Sequence, residues 1–258
     1  MEIEPKYTFL SLPQNNYFGL NDKATQELLT KWGLNENFHI QNFSFNEPFQ
    51  PYHKYNLTES FFKDQAVAGV LKTKSKGCWA AHGTVASTVE TRQIPCSVLT
   101  MSFFEKLKDP NNKVVHNSGT ICKRYDLDID GFLVSDNLRG MLIDEDCEQY
   151  NLYSKNEREE FIFRILQLLV LGGSLCQYED TIEPYLKVTK NLYKDLIRVQ
   201  KQKDSNELSV STMVLEVVAK DANGRAYFPC DQSSMQNIGF LLVDRNFRQI
   251  TTVLHQYS

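Results

Sequence analysis

The chain has 258 residues, 41% hydrophobic and 23% charged, with a net charge of −4. That length allows one large domain, with a possible subdivision near residues 204–207, and the composition is ordinary for a soluble globular protein. The net charge argues against a nucleic-acid surface, which needs clustered Lys and Arg, and the apolar run at 161–171 is too short for a bilayer span, which needs about 20 residues.

Cysteines stand at 78, 96, 122, 147, 176 and 230. None forms a CxxC pair, so zinc-ribbon and thioredoxin readings lack their spacing, and reduced, mostly buried cytosolic thiols are expected. The acidic start MEIEPKYTFL has no basic segment ahead of an apolar one, so no secretory leader is read there.

Residues 7–12 read as a short strand ended by Pro13. A helix is predicted over 22–32, with Leu28, Leu29 and Trp32 turned inward and Gly33 as its stop. Residues 38–45 alternate apolar and polar side chains as a strand does, and a short helix over 57–63 carries Phe61 and Phe62. From 64 to 95 the pattern is weakest, with a polar turn at 72–77 and a strand at 84–89. A helical segment follows over 101–107, then an interrupted strand over 114–124. Asp136 N-caps a helix reaching Ile143, before the acidic loop Asp144-Glu145-Asp146.

Ser154 and Glu157 have capping-box spacing, and Glu157, Glu159 and Glu160 suit the positive end of a helix dipole. One helix is therefore predicted from Ser154 to Leu171. It is apolar on nearly every side except at Arg164 and Gln167, which makes it a core post. Gly172 and Gly173 end it. A second helix is predicted from Thr181, with Pro184 in its first turn and an inward stripe of Ile182, Tyr185, Leu186, Leu192, Leu196 and Val199. Lys194, Arg198, Lys201 and Lys203 gather towards its end, and the two helices should pack antiparallel.

Past a linker at 203–206, residues 208–220, 225–228, 238–243 and 249–257 read as an antiparallel meander. Its hairpin turns fall at Asp221-Ala222-Asn223-Gly224 and 244–248. The fold class is α+β: mixed N-terminal strands and helices, a central antiparallel helix pair and a C-terminal antiparallel β-meander. The strand ending at Tyr257 offers an edge for a partner's strand unless the N-terminus plugs it.

Asp126, Asp128, Asp130 and Gly131 match the first half of a calcium-binding EF-hand loop, but Asn137 replaces the bidentate glutamate at position twelve. The simpler reading is an acidic surface loop, with no metal. Cys96 or Cys176 with His82 or His116 would make a nucleophile and base, yet nothing in the sequence pairs them. Ser174 lacks the second glycine of a nucleophile elbow, and no phosphate-binding loop exists. Glu179 and Asp180 more simply serve the helix that follows. No catalytic residue and no cofactor is expected. Gln177, Tyr178, Glu179 and Asp180 form an aromatic and acidic corner suited to a protein partner. The alternative is a buried Tyr178 whose hydroxyl ties the corner to a neighbouring strand.

The run from Leu171 to Leu196, LGGSLCQYEDTIEPYLKVTKNLYKDL, resembles the signature of the cilia- and flagella-associated protein 300 family. FLSLPQ at 9–14, FFKD at 61–64, Pro95-Cys96 leading to MSFF at 101–104, FLVSDNLR at 132–139 and REEF at 158–161 agree with it in order. The resemblance implies a non-catalytic factor for cytoplasmic assembly or transport of axonemal outer and inner dynein arms, needed for ciliary and flagellar motility. It implies residence in the cytoplasm and the axoneme of the cilium or flagellum. Implied partners are dynein arm assembly factors, co-chaperones, dynein chains and intraflagellar transport, without nucleic acid or membrane. The competing readings are a small hydrolase or transferase with a Cys/His or calcium-dependent site, and a stable structural component of the axoneme.

Overall fold

A strand buried at every position must be covered on both faces, and Ile238–Asp244 is such a strand. In the computed structural model, which describes residues 4–75, 77–202, 207–231 and 234–257, it lies inside an antiparallel sheet. The strands are β1 (Phe9–Leu12), β2 (Phe38–Phe45), β3 (Thr88–Ile94), β4 (Thr212–Lys220), β5 (Ala226–Phe228), β6 (Ile238–Asp244) and β7 (Gln249–His255). They run β1-β2-β7-β6-β4, with β5 and β3 also on β4. Val214 pairs with both Ile94 and Leu242, and Ala219 with both Val89 and Phe228. Hence β3 holds one side of β4, while β5 and β6 share the other.

The expected C-terminal antiparallel strands form, but not as a simple meander: β5 and β6 both pair with β4, and Leu208–Val210 pairs with Val199–Lys201 in a separate sheet. The last strand, moreover, is not an edge. β7 pairs with β2 from Gln249↔Ser44 to His255↔Phe38, so the N-terminal segment closes the position proposed for a partner's strand. Alternation assigns the faces. Ile40, Val214, Phe240, Leu242 and Val253 join one core; Phe43, Leu215, Leu241, Val243 and Ile250 join the other. The first core takes α1 (Lys23–Lys31), α3 (Asn137–Ile143), α4 (Phe161–Leu171) and α5 (Glu183–Leu196); the second takes α2 (Lys54–Lys63) through Leu57, Phe61 and Phe62.

The core post forms as α4, with Arg164 and Gln167 alone short of full burial. The capping box also forms: Ser154 N–H donates to Glu157 Oε2 at 2.8 Å and Glu157 N–H to Ser154 Oγ at 3.3 Å. The capped helix nevertheless stops at Glu159, because Glu160 turns extended with ψ 135. Its carboxylate accepts from Ser97 N–H at 3.0 Å and Ser97 Oγ at 2.6 Å. Phe161 N–H then donates to Pro95 O at 2.9 Å. The chain leaving β3 thus splits the predicted helix in two.

α5 starts two residues late for a similar reason. Ile121 N–H donates to Asp180 O at 2.8 Å and Ile182 N–H to Gly119 O at 3.1 Å, an isolated antiparallel bridge at Thr120↔Thr181 that holds the approach outside the helix. α4 and α5 pack against one another. Val199 is not part of the inward stripe: it lies 49% exposed in a ribbon of Val199–Lys201 and Leu208–Val210, which also takes Lys201 out of the helix. Lys203 and the linker at 203–206 lie outside the described residues. Residues 72–77 are not a simple turn, since Lys72–Ser75 pairs with Cys78–Ala81, and the strand expected at 84–89 runs instead over β3.

β7 carries a histidine sensor of stability. His255 is fully buried, with Nδ1 2.6 Å from Gln236 O and Nε2 lacking a partner. Burial pushes its pKa down to about 4, and burial with the nearby Lys72 does the same to His39. Both are neutral in the fold while the unfolded chain protonates near 6.5. Their contribution is complete above about pH 6.5 and is lost as pH falls towards 4. The urea midpoint should therefore drop between pH 7 and 5, and drop less in His255→Gln. An unchanged pH slope in that variant contradicts the assignment.

Candidate functional site at the glycine corner

A helix leaves its last carbonyls without partners, and whatever satisfies them fixes the neighbouring chain. α4 ends at Gly172, φ +66, whose N–H returns to Leu168 O at 3.0 Å. Gln236 Nε2 also donates to Leu168 O and Gly172 O. The chain then crosses the end of α1, where Gly173 N–H donates to Trp32 O at 2.8 Å and Gln177 N–H to Lys31 O at 2.9 Å. A Cβ on Gly173 would lie 2.2 Å from Gly33 O, and one on Gly172 would lie 2.3 Å from Cys176 Sγ. The double glycine is required by this contact between backbones as well as by the helix stop.

Beneath the loop lies Arg139, with no side-chain exposure. It pairs with Asp136, itself 1% exposed, and donates to Val170 O at 3.0 Å and Tyr185 Oη at 2.9 Å. The Tyr178 ring covers it, 3.3 Å from the guanidinium carbon to the ring centre. Asp136 also N-caps α3 by accepting Arg139 N–H at 2.8 Å. Burial opposes the charge of Arg139, but Asp136, Tyr185 and Tyr178 outweigh it and raise the pKa. Tyr185 Oη accepts Glu179 N–H at 3.0 Å, and its ring stacks on Trp32 at 4.6 Å. Glu179 Oε1 in turn accepts from Trp32 Nε1 at 3.1 Å and Lys31 Nζ at 2.8 Å.

The corner proposed for a partner divides accordingly. Tyr178 is half-buried and donates to Leu133 O at 3.4 Å, and Glu179 is turned inward. Gln177 and Asp180 face solvent, Asp180 beside Lys123 at 3.2 Å. The sequence reading missed Leu175, 84% exposed next to a hollow of about 400 Å³ that Thr30, Gly33 and Glu36 help line. A lone apolar residue after Gly-Gly-Ser was its only signal.

The other candidates are dispersed. Cys96 Sγ sits 3.4 Å from Tyr193 Oη, and burial pushes its thiol up to about 12; burial raises Cys176 to about 11. Such thiols carry little thiolate at neutral pH. His82 stacks on Tyr227 at 3.6 Å, and His116 is exposed in a turn. Among the described residues no hydrogen bond joins these cysteines to these histidines. Asp126, Asp128 and Asp130 belong to a hairpin of Lys123–Ile129 and Phe132–Asp136, turned at Asp130-Gly131, not to a helix-flanked loop. Among the described residues no group of three His, Cys, Asp or Glu is placed to hold a metal, and no helix is long and apolar enough to cross a membrane.

What this corner defines is a load of packing and capping contacts around one buried charge. The profile described as cilia- and flagella-associated protein 300 matches residues 6–255. The chain belongs to the cilia- and flagella-associated protein 300 family. It is 30% identical over 251 residues to the protein of that name from Chlamydomonas reinhardtii, covering 96% of each chain. It is 28% identical over 238 residues to the one from Paramecium tetraurelia, covering 92% of this chain and 89% of that one. No solved structure matches.

Removing the guanidinium leaves Asp136 buried and unpaired, so Arg139→Met should cost about 3–5 kcal/mol in chemical denaturation. A loss below about 1 kcal/mol would show that the pair is not the centre of the corner.

Proposed function

We propose that this protein is a non-catalytic factor for the cytoplasmic assembly or transport of axonemal outer and inner dynein arms. The observation that carries the reading is the match to a ciliary and flagellar family over residues 6–255. The corner supports it, because the signature run spends its glycines, aromatics and Glu179 on internal contacts. The dispersed, protonated thiols and separate histidines support a role without chemistry of their own. On this reading the chain acts in the cytoplasm and reaches the axoneme. It binds dynein arm assembly factors, co-chaperones or dynein chains, and travels with intraflagellar transport.

Deleting the chain in a ciliated cell should leave axonemes short of both rows of arms, seen in cross-section by electron microscopy, with beating lost. Normal arms and normal beating contradict the proposal.

A further inference from the structure

We infer that the groove between residues 17–20 and the outer face of α5 docks an acidic segment of another protein, with an apolar side chain of that segment laid on Phe18. This goes beyond the assembly reading, because it specifies binding chemistry whichever protein supplies the segment.

The groove begins with an aromatic held in water. Phe18 is 75% exposed between Tyr17 at 3% and Leu20 at 8%. Its loop is pinned on every side. A Cβ on Gly19 would meet Asn191 Cβ and O at 2.8 Å, so the loop lies directly on α5. Leu20 N–H donates to Asp195 Oδ2 at 2.7 Å, Gln26 Nε2 to Leu20 O at 2.6 Å, and Tyr17 Oη to Asn42 Oδ1 at 2.7 Å. A rigid base presenting a phenyl ring is what an interface hot spot requires.

Charge names the occupant. α5 buries Tyr185, Leu186, Val188 and Leu192 and leaves Lys187, Lys190 and Lys194 outward. Among the described residues none of the three lysines has an ion pair or hydrogen bond. Lys187 and Lys194 line a hollow of about 380 Å³ with Phe18. The acids there are already engaged: Asp22 accepts Thr25 N–H at 3.1 Å, and Asp195 holds Leu20. Free cations beside an exposed ring, on a chain of net charge −4, complement carboxylates next to an apolar residue. Anionic bilayers draw on about 4–8 clustered cations; here Lys187 and Lys194 line a concave site that also holds Asp22 and Asp195, and Lys190 stands exposed on the same helix.

The test places the photoreactive amino acid p-benzoylphenylalanine at Phe18 of the full chain in ciliating cells and identifies the adduct by mass. The expected adduct is an Asp- and Glu-rich protein segment containing an apolar residue. Its yield should fall at least tenfold in K187E/K190E/K194E and stay within about twofold in K187R/K190R/K194R, all three proteins showing the same circular dichroism. Adducts to lipid, nucleic acid or a non-acidic segment overturn the inference. So does a yield no greater than with the same group at Tyr125, which is 97% exposed, or one insensitive to charge reversal. The adduct reports on docking whether or not axonemes keep their arms on deletion.

Discussion

A guanidinium taken wholly out of water loses several kcal/mol of hydration, and only partners in fixed positions offset that loss. Arg139 imposes this demand on the helical layer. Arg139 lies on α3, and its partners come from the N-cap of that helix through Asp136, from the end of α4 through Val170 O, from α5 through Tyr185 and from the intervening loop through Tyr178. One charge therefore sets the spacing of those helices. Tyr185 carries the constraint outward to Trp32 and so to the end of α1.

The same constraint explains the composition of the family signature. Gly172 and Gly173 let the loop touch the backbone at Trp32 and Gly33, and Glu179 closes on the indole nitrogen. Each is an architectural requirement, which leaves recognition to the residues that the packing does not use. Phe18, Lys187 and Lys194 are of that kind, as is Leu175. The sheet sits behind this layer, held together by β2 inserted beside β7, so both ends of the sequence contribute to one framework.

Local signals were legible wherever the physics was local. The alternation over 38–45 specifies β2, Asp136 caps its helix, and the Ser154–Glu157 pair forms as spaced. The apolar run of α4 reads as a core post because burial follows hydrophobicity directly. What failed depended on partners far along the chain. Glu160 leaves the helix because Ser97 takes its carboxylate, and residues 180–182 stay outside α5 because 119–121 bind them. For Tyr178, the alternative of a hydroxyl tied to a strand matches its contact with Leu133, while Glu179 turns inward to accept from Trp32 Nε1 and Lys31 Nζ, residues far from it in the chain. Phe18 was invisible, because exposure of one aromatic among buried neighbours has no sequence pattern.

Native-state hydrogen exchange at the amides of Gly173, Gln177 and Glu179 tests most directly whether the buried charge fixes the corner. These amides donate to Trp32 O, Lys31 O and Tyr185 Oη. They should exchange only with the global unfolding that releases the α4 amides. Exchange at loop rates while α4 stays protected would contradict the account.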